Sequence, residues 1–508
     1  MYLACMDSPF PTLAHYEALK AENEALKAKN EQLRTQYMVL FEKLARLEHE
    51  MAQLKRRTFG RKSERLKTQP AEQRPAPEIT KAEKPKQKPV RQALPERLPR
   101  QVVVIEPQED TSGLTRIGEE VTETLAYLPA QLVVLRRIRP KYVDPNNPER
   151  GVIIAELPDR PIAKGMAEPS LLAQILIEKY LDHLPLYRQR QRFKREGIPL
   201  AESTLEGWVA QVADLVEPLY QRLSQEVVAS GYVQADETTI AVLDQTKQGA
   251  THRGYYWVYH APERHLVVMD YQKGRSSDGP KAFLKGYMGA LQSDGYVAYE
   301  TLRSGSEQEQ IICYGCWAHA RRKFYEAQEN APEQAAYVLQ EIGRLYEIEC
   351  QLRESRASAE ERCTQRRARS VPILRALKAY LEANPGLPKS PWGQAAGYSL
   401  KQWDKLTGYV DDGRIELDNN LVENAIRPIV LGRKNYLFAG SHEAAQRAAV
   451  VYSLLGTCKK LGVHPHEWLS DVLSRIAAYP VKQVGDLLPH RWKAARANEN
   501  GGEDRSSR

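Results

Sequence analysis

Three acidic residues are placed where the fold could bring them together: Asp236, Asp294 and Glu423. Asp236 lies inside an apolar, strand-like run, and Asp294 ends a shorter run of the same kind. Glu423 lies about one turn inside a helix that Asp418 is predicted to cap. Carboxylates that converge from separate elements suit two Mg²⁺ ions about 4 Å apart, the arrangement used for phosphoryl transfer. Mn²⁺ is expected to substitute for Mg²⁺. The alternative is that these acids are solvated or cap their elements.

The segments around the acids predict an α/β catalytic core of the ribonuclease-H-like type. Apolar runs at 231–243, 254–259 and 265–269 predict three antiparallel strands, and further strands end at Asp294 and cover 311–313. Helical patterns lie between and after these strands. The core is predicted to span 229–440 with a helical insertion at about 330–410. C-terminal helices at 441–490 and a disordered tail at 491–508 are predicted to follow.

The N-terminal segment has a leucine at every seventh position, from Leu19 to Leu54. This heptad repeat predicts a leucine-zipper coiled coil over 1–66, and the protein would be a homodimer or higher oligomer. Asn23 and Asn30 fall at the other core position, where paired asparagines fix register and strand number. A single amphipathic helix packed on its own globule is the alternative, but it leaves the two asparagines unexplained.

Basic residues follow the predicted zipper at once. Residues 55–100 hold fifteen Lys and Arg against five Glu, whereas the whole chain has a net charge of +8. Arg56, Arg57, Arg61 and Lys62 begin this segment, and a Pro-rich stretch at 67–100 predicts a linker. Such a concentration of positive charge favours binding to DNA phosphates. The alternative is a solvated linker without a ligand.

Two modules are predicted between the linker and the catalytic core. Alternating apolar residues at 101–165 predict a small β-containing module. Residues 166–228 predict helices, with a basic stretch that includes Arg188, Arg190 and Arg192. A Gly-containing turn and a capping box at 203–206 follow this stretch, which is the outline of a helix-turn-helix. Two ordinary packed helices would give the same outline.

Composition excludes several classes of protein. The sequence has no apolar run of 18 residues and no signal-peptide core, so we expect no membrane partner. Six cysteines in 508 residues are too few for a disulfide framework and favour a reducing compartment. We therefore expect a cytoplasmic protein.

Several long strings resemble the bacterial insertion-sequence 66 family of transposases. They include ADETTI (235–240), LQSDGYVAY (291–299), CWAHARRKF (316–324) and DNNLVENAIRPIVLGRKNYLFAGS (418–441), together with KYLDHLPLYRQRQRF (179–193), SLLGTCKKLGVHPHEWL (453–469) and FGRKSERL (59–66). The resemblance runs in order from about 15 to 490 and leaves the linker unmatched. It implies a DDE transposase that cuts and joins DNA at the terminal inverted repeats of its element and at target DNA, at the bacterial nucleoid. Accessory proteins of the same element are implied as possible partners.

The resemblance also implies roles for individual residues. Asp236, Asp294 and Glu423 would be the catalytic, metal-binding acids. Cys316 and His319 match a C-x-x-H element expected to orient the core or the scissile strand. Contacts with DNA are implied for Arg321, Arg322, Arg427, Arg433 and Lys434. Family members often carry a Cys-rich zinc module near 110–150, but this chain has no Cys or His there, so we expect no bound zinc.

Two other functions stay open. A catalytically silent, dimeric DNA-binding regulator could use the same scaffold, although the three intact acids favour an enzyme. The second open function is a ribonuclease-H-like nuclease without strand transfer. Against it, the zipper favours an assembly that holds two DNA ends.

Overall fold

The computed structural model describes residue 29 and residues 94–503, apart from 95, 97, 110, 113, 129, 130, 146, 164, 245–248 and 302–310. The predicted zipper (1–66), almost all of the predicted linker (67–100) and the cations Arg56, Arg57, Arg61 and Lys62 lie outside the described residues.

The first described module is a small sheet, as the alternating pattern at 101–165 predicted. Its strands are β1 (Arg100–Val104), β2 (Thr115–Leu128), β3 (Gln131–Val143) and β4 (Val152–Ile154). Strand β3 is central, parallel to β1 and antiparallel to β2 and β4. Arg137 on β3 pairs with the buried Glu168 at 2.7 Å, and Glu168 also accepts a hydrogen bond from Thr124. This ion pair ties the sheet to the helix that follows.

Four helices follow the small sheet: α1 (Pro169–Tyr180), α2 (Leu186–Arg195), α3 (Glu202–Leu215) and α4 (Glu217–Val228). Their buried faces join the main core of the molecule. The predicted capping box at 203–206 is wrong. Helix α3 begins at Glu202 with Ala201 at the N-cap and no side-chain cap. Leu200 is buried just before it, and this anchor starts the helix before Ser203 can serve as a cap.

The second sheet carries the acids on strands β5 (Tyr232–Leu243), β6 (Thr251–Ala261), β7 (Leu266–Gln272), β8 (Gly289–Gln292) and β9 (Ile311–Tyr314). The strand order is β7-β6-β5-β8-β9. The first three strands are antiparallel, and β8 and β9 are parallel to β5. The short helices α5 (Asp278–Phe283) and α6 (Val297–Glu300) connect them. The α/β class predicted from the sequence is confirmed.

The helical segment predicted at about 330–410 is present. After β9 the chain forms α7 (Trp317–Ala327), α8 (Pro332–Glu354), α9 (Ala359–Ala383), α10 (Pro391–Lys401) and α11 (Trp403–Thr407). These helices share a second apolar core with Tyr232, Ala290 and Tyr314 of the sheet. Arg366 on α9 is fully buried. It donates two hydrogen bonds to Glu349 and three to the backbone carbonyls of Tyr409, Asp412 and Ile415. The insertion therefore holds the segment through which the chain returns to the sheet.

The chain then forms α12 (Asn420–Gly432), α13 (His442–Leu461), α14 (Pro465–Arg475) and α15 (Pro489–Glu503). Helix α13 covers the edge strand β7, and its Ser453 and Thr457 hydroxyls accept hydrogen bonds from the free N–H groups of Met269 and Val267. These contacts protect the edge from pairing with another chain.

The prediction of a disordered tail at 491–508 is wrong for residues 491–503. Helix α15 continues to that residue because Trp492 is buried and donates to Asp471, and Arg491 pairs with Glu226 at 2.6 Å. Within the described ranges, no helix has the length and apolar character needed to cross a membrane.

Candidate active site

The three predicted acids come from three neighbouring elements. Asp236 lies on the central strand β5, Asp294 follows the end of β8 by two residues, and Glu423 lies in the first turn of α12. Strands β5 and β8 are parallel, and Gln234 is aligned with Gln292. Asp236 and Asp294 each follow these aligned partners by two residues and so lie near the same level of the sheet. Helix α12 packs against β5 and brings Glu423 to this level.

Asp236 has a strongly perturbed carboxyl group. Burial, together with the smaller effects of the charges on Glu237, Asp294 and Glu423, raises its pKa to about 8, against a hydrogen bond from the Glu237 backbone N–H. Glu237 itself is neutralised by Arg275, at 2.9 Å from the guanidinium Nε. In the described part of the chain no cation pairs with Asp236, so the ionised form of this carboxyl is not compensated and it keeps its proton to a higher pH.

A cleft of about 220 Å³ lies between these elements, lined by Asp236, Glu237, His319, Arg322, Glu423 and Ile426. His319 on α7 faces Glu423, with 3.9 Å between Nδ1 and Oε1. Neither atom has a hydrogen-bond partner, although both are buried. Burial lowers the pKa of His319, against the charges of Asp294 and Glu423. In the described part of the chain, no three His, Cys, Asp or Glu side chains are close enough to hold one ion as they stand.

The two members of the C-x-x-H element have different surroundings. Cys316 is fully buried at the start of α7, and its Sγ accepts a hydrogen bond from the Asn419 N–H at 3.5 Å. Burial raises its pKa to about 12, so it stays a thiol. Cys316 thus holds the entrance of α12, whereas His319 faces the acid which that helix carries. Cys313, three residues before Cys316, is half-buried on β9.

Asp418 is not the N-cap of α12, which corrects the sequence prediction. The N-cap is Asn419, and Asp418 lies one residue earlier. Its carboxylate still accepts a hydrogen bond from the Asn420 N–H at 3.0 Å, and another from the Tyr346 hydroxyl at 2.8 Å. The contact with Tyr346 draws Asp418 toward α8 and away from the cap position.

Comparison with known proteins identifies the family. The model described as "Transposase IS66 family" matches residues 164–447, which contain all three acids. The chain belongs to the IS66 family of transposases. A model described as "IS66 C-terminal element" matches 453–490. A model described as "Transposase C of IS166 homeodomain" matches 46–103. The predicted linker is therefore matched in the family, contrary to our expectation.

Similar proteins of this IS66 family occur in Sinorhizobium fredii (strain NBRC 101917 / NGR234). The uncharacterized protein y4jD is 36% identical over 427 residues, which cover 80% of this chain and 83% of the relative. The uncharacterized protein y4qI is 34% identical over 489 residues, 89% of this chain and 90% of the relative. This family membership supports a transposase role with DNA as a partner.

Those predicted DNA-binding cations of this IS66-family transposase that the structure describes fall into two groups. Arg188, Arg321, Arg322, Arg427 and Lys434 are exposed. The others make internal contacts: Arg190 pairs with Glu202 at 3.2 Å, Arg192 pairs with the buried Glu178, and Arg433 donates to the Thr239 carbonyl and hydroxyl. Arg192 and Arg433 hold helices in place through these contacts, and their contacts with DNA stay a prediction.

Sequence reasoning missed three buried polar residues beneath the acids: Tyr232, Gln234 and Gln292. The available signal was the spacing, because each glutamine lies two residues before an acid, and Gln234 and Asp236 share one face of β5.

Proposed function

We propose that this IS66-family transposase cleaves DNA at the ends of its insertion sequence and joins them to target DNA, with two Mg²⁺ ions held by Asp236, Asp294 and Glu423. The proposal is carried by Asp236 and Glu423, which line one cleft, and by Asp294, whose charge acts on Asp236. It is supported by the raised pKa of Asp236, which reflects burial and then the charge of its neighbours, Asp294 and Glu423 among them. Asp236 would therefore be the acid shared between the two ions.

The topology supports a ribonuclease-H-like core. Three antiparallel strands, two parallel strands on the other side of β5 and a later helix on the sheet are the elements that such a core needs. In this arrangement the central strand, its parallel neighbour and the later helix each supply one acid. The helical insertion lies between the second acid and the third.

The residues fit divalent cations. The acids offer the hard oxygen ligands that Mg²⁺ prefers, and Mn²⁺ would be accepted by the same set. The Glu423 Oε1 atom is buried without a partner, which is costly unless a cation or donor binds it. When bound, the ions would activate the attacking water or 3′-hydroxyl and stabilise the leaving oxygen. His319, kept neutral by burial, would orient Glu423 without competing for its charge.

Exposed cations around the cleft outline a path for DNA. Arg322 lines the cleft and also, with Arg321, a neighbouring groove of about 470 Å³. Arg427 lies one turn beyond Glu423 on α12, and Lys434 follows the end of that helix. Guanidinium and ammonium groups in these places would bind the phosphates on either side of the scissile bond. The basic segment at 55–100 would add contacts without sequence preference. A zipper dimer would hold two element ends in one assembly.

The experiment is a cleavage and joining assay on element-end DNA with the full-length protein. Asp236→Asn, Asp294→Asn and Glu423→Gln should each keep DNA affinity and lose cleavage. The losses should be strongly non-additive, because the three acids act as one unit. Asp270→Asn is the matched control, since Asp270 is a partly buried carboxylate on β7 of the same sheet, and burial raises its pKa to about 6. This control should cleave like the natural protein.

Each other outcome points to a different conclusion. Full cleavage by one of the three variants removes that residue from the site. Binding of element ends without cleavage by the natural protein, with Mg²⁺ or Mn²⁺, indicates the silent regulator. Cleavage without joining indicates a plain nuclease. Loss of cleavage in a folded Asp418→Ala variant would show that the third carboxylate has been misplaced.

A further inference from the structure

A buried polar network lies directly beneath the acids. Tyr232 and Gln234 on β5 and Gln292 on β8 are almost completely excluded from solvent. The Gln292 Oε1 atom accepts hydrogen bonds from the Tyr232 hydroxyl at 2.7 Å and from Gln234 Nε2 at 2.9 Å. The three side chains therefore link the two strands that carry Asp236 and Asp294. Buried polar groups linked in this way specify a single arrangement, because each unmade bond is costly.

The same network holds the segment that leads into α12. Gln292 Nε2 donates to the Glu416 carbonyl at 2.8 Å, and the Tyr232 hydroxyl accepts from the Glu416 N–H at 3.1 Å. Gln234 Nε2 donates to the Asp418 carbonyl at 3.0 Å. Gln234 Oε1 accepts from the Val422 N–H at 3.2 Å. The backbone is thus held on both sides of the residue where α12 begins.

Gln234 does for α12 what an N-cap side chain usually does. The first N–H groups of a helix lack partners within the helix, and the N-cap side chain commonly supplies one. Asn419 occupies the N-cap position, but its amide is buried and makes no hydrogen bond. The Asp418 carboxylate accepts from the Asn420 N–H, and the side-chain acceptor for the Val422 N–H comes from β5, the strand that carries Asp236. Glu423 follows Val422 directly.

We propose that Gln234 and Gln292 are positioning residues that fix Glu423 relative to Asp236 and Asp294. Each glutamine is two residues before an acid. Gln234 shares β5 with Asp236, and Gln292 ends β8 just before Asp294, so short pieces of backbone link each acid to the contacts that locate the third one. A displacement of about 1 Å at such a site can cost about 100-fold in rate. The inference rests on the proposed function, because it assigns these glutamines to the reaction proposed above.

The test compares Gln234→Met and Gln292→Met with Gln189→Met. Methionine keeps the length of glutamine and removes its hydrogen bonds. Gln189 is the matched control, since it is fully buried on α2 and donates to the backbone carbonyls of Ile175 and Leu184. Tyr232→Phe is a milder variant that removes one hydroxyl, and it keeps the test usable if a glutamine variant fails to fold.

Two quantities should change together in the Gln234 and Gln292 variants. The single-turnover cleavage rate at saturating Mg²⁺ should fall about 100-fold, with the KM for DNA within twofold of the natural value. Amide hydrogen exchange in residues 415–425 should become at least tenfold faster. Tyr232→Phe should change both quantities in the same direction by a smaller factor. Gln189→Met should leave both within twofold, even if it lowers the melting temperature.

Two results would overturn the proposal. One is unchanged exchange in residues 415–425 of the folded Gln234→Met protein. The other is a cleavage rate that falls no more than in Gln189→Met. These results differ from failure of the proposed function, which would appear as full cleavage by Glu423→Gln. The exchange measurement needs neither metal nor catalysis.

Discussion

Replacing Asp236 with Asn should stabilise the metal-free protein, although it should abolish the proposed cleavage. Burial, and then the charge of Glu237, Asp294 and Glu423, raises the pKa of Asp236 from 3.8 to about 8. Unfolding releases the carboxyl from these influences, and its proton is then lost near pH 4. Between pH 4 and pH 8 the folded state therefore binds more protons than the unfolded state. The contribution of this carboxyl group to the stability of the folded state is complete below pH 4 and is lost as pH rises through 8.

The size of the effect follows from the pKa shift. One pKa unit corresponds to about 1.4 kcal/mol, so the interval from pH 4 to pH 7 corresponds to about 4 kcal/mol. The cleft is open to water, which screens part of this energy. We therefore expect Asp236→Asn to be more stable than the natural protein by about 2 kcal/mol at pH 7. Asparagine does not titrate. The stability difference between Asp236→Asn and the natural protein should therefore be near zero at pH 4 and grow up to pH 8.

The assay is thermal melting of the full-length proteins in EDTA from pH 4 to pH 8.5, at a fixed scan rate. Asp270→Asn is the control, because burial raises the pKa of Asp270 only to about 6. The stability difference between Asp270→Asn and the natural protein should therefore stop growing above pH 6. Added Mg²⁺ should shrink the advantage of Asp236→Asn, since an ion bound to the folded state stabilises only the protein that holds it. A stability difference that stays constant from pH 5 to pH 8 would refute the reasoning.

Three further outcomes are expected. Arg427→Ala should reduce DNA affinity and lower the log–log slope of affinity against salt by about one, without changing the melting temperature. Arg433→Ala should instead cost about 1–3 kcal/mol of stability, because it leaves Thr239 without its donor. DNA binding at several salt concentrations, combined with melting curves, separates the two variants, and identical behaviour would contradict the structural difference between them. Deleting 55–100 should flatten the salt dependence of DNA affinity, and an unchanged slope would make that segment only a linker. Elemental analysis should find no zinc, and one zinc per chain would contradict a metal-free module at 101–165.

The sequence predicted the elements of this fold better than their contacts. Alternation and helical spacing identify strands such as β5 and helices such as α12, since these patterns reflect which face is buried. Spacing does not reveal which partner a charged side chain meets. Arg192 and Arg433 lie in basic stretches like those that bind DNA, yet they contact Glu178 and Thr239.

The same limit applies to the site. The three acids were found because carboxylates at strand ends and in a later helix suit metal chemistry and because their surrounding strings resemble a family. Gln234 and Gln292 carry no charge and belong to no motif, so their importance depends on the segment packed above them. That segment, from Glu416 to Val422, is remote along the chain and could not be placed by local patterns.

The contact between Gln234 and Asp418 joins positions 184 residues apart in the chain. Contacts of such large separation form late, since the intervening chain must first be ordered. A ribosome that has synthesised β5 and β8 has made two acids but not the helix that carries the third. The insertion must then fold before its Arg366 can hold the returning chain. Nascent or truncated products of this gene would therefore be unable to cut the DNA from which they are being expressed.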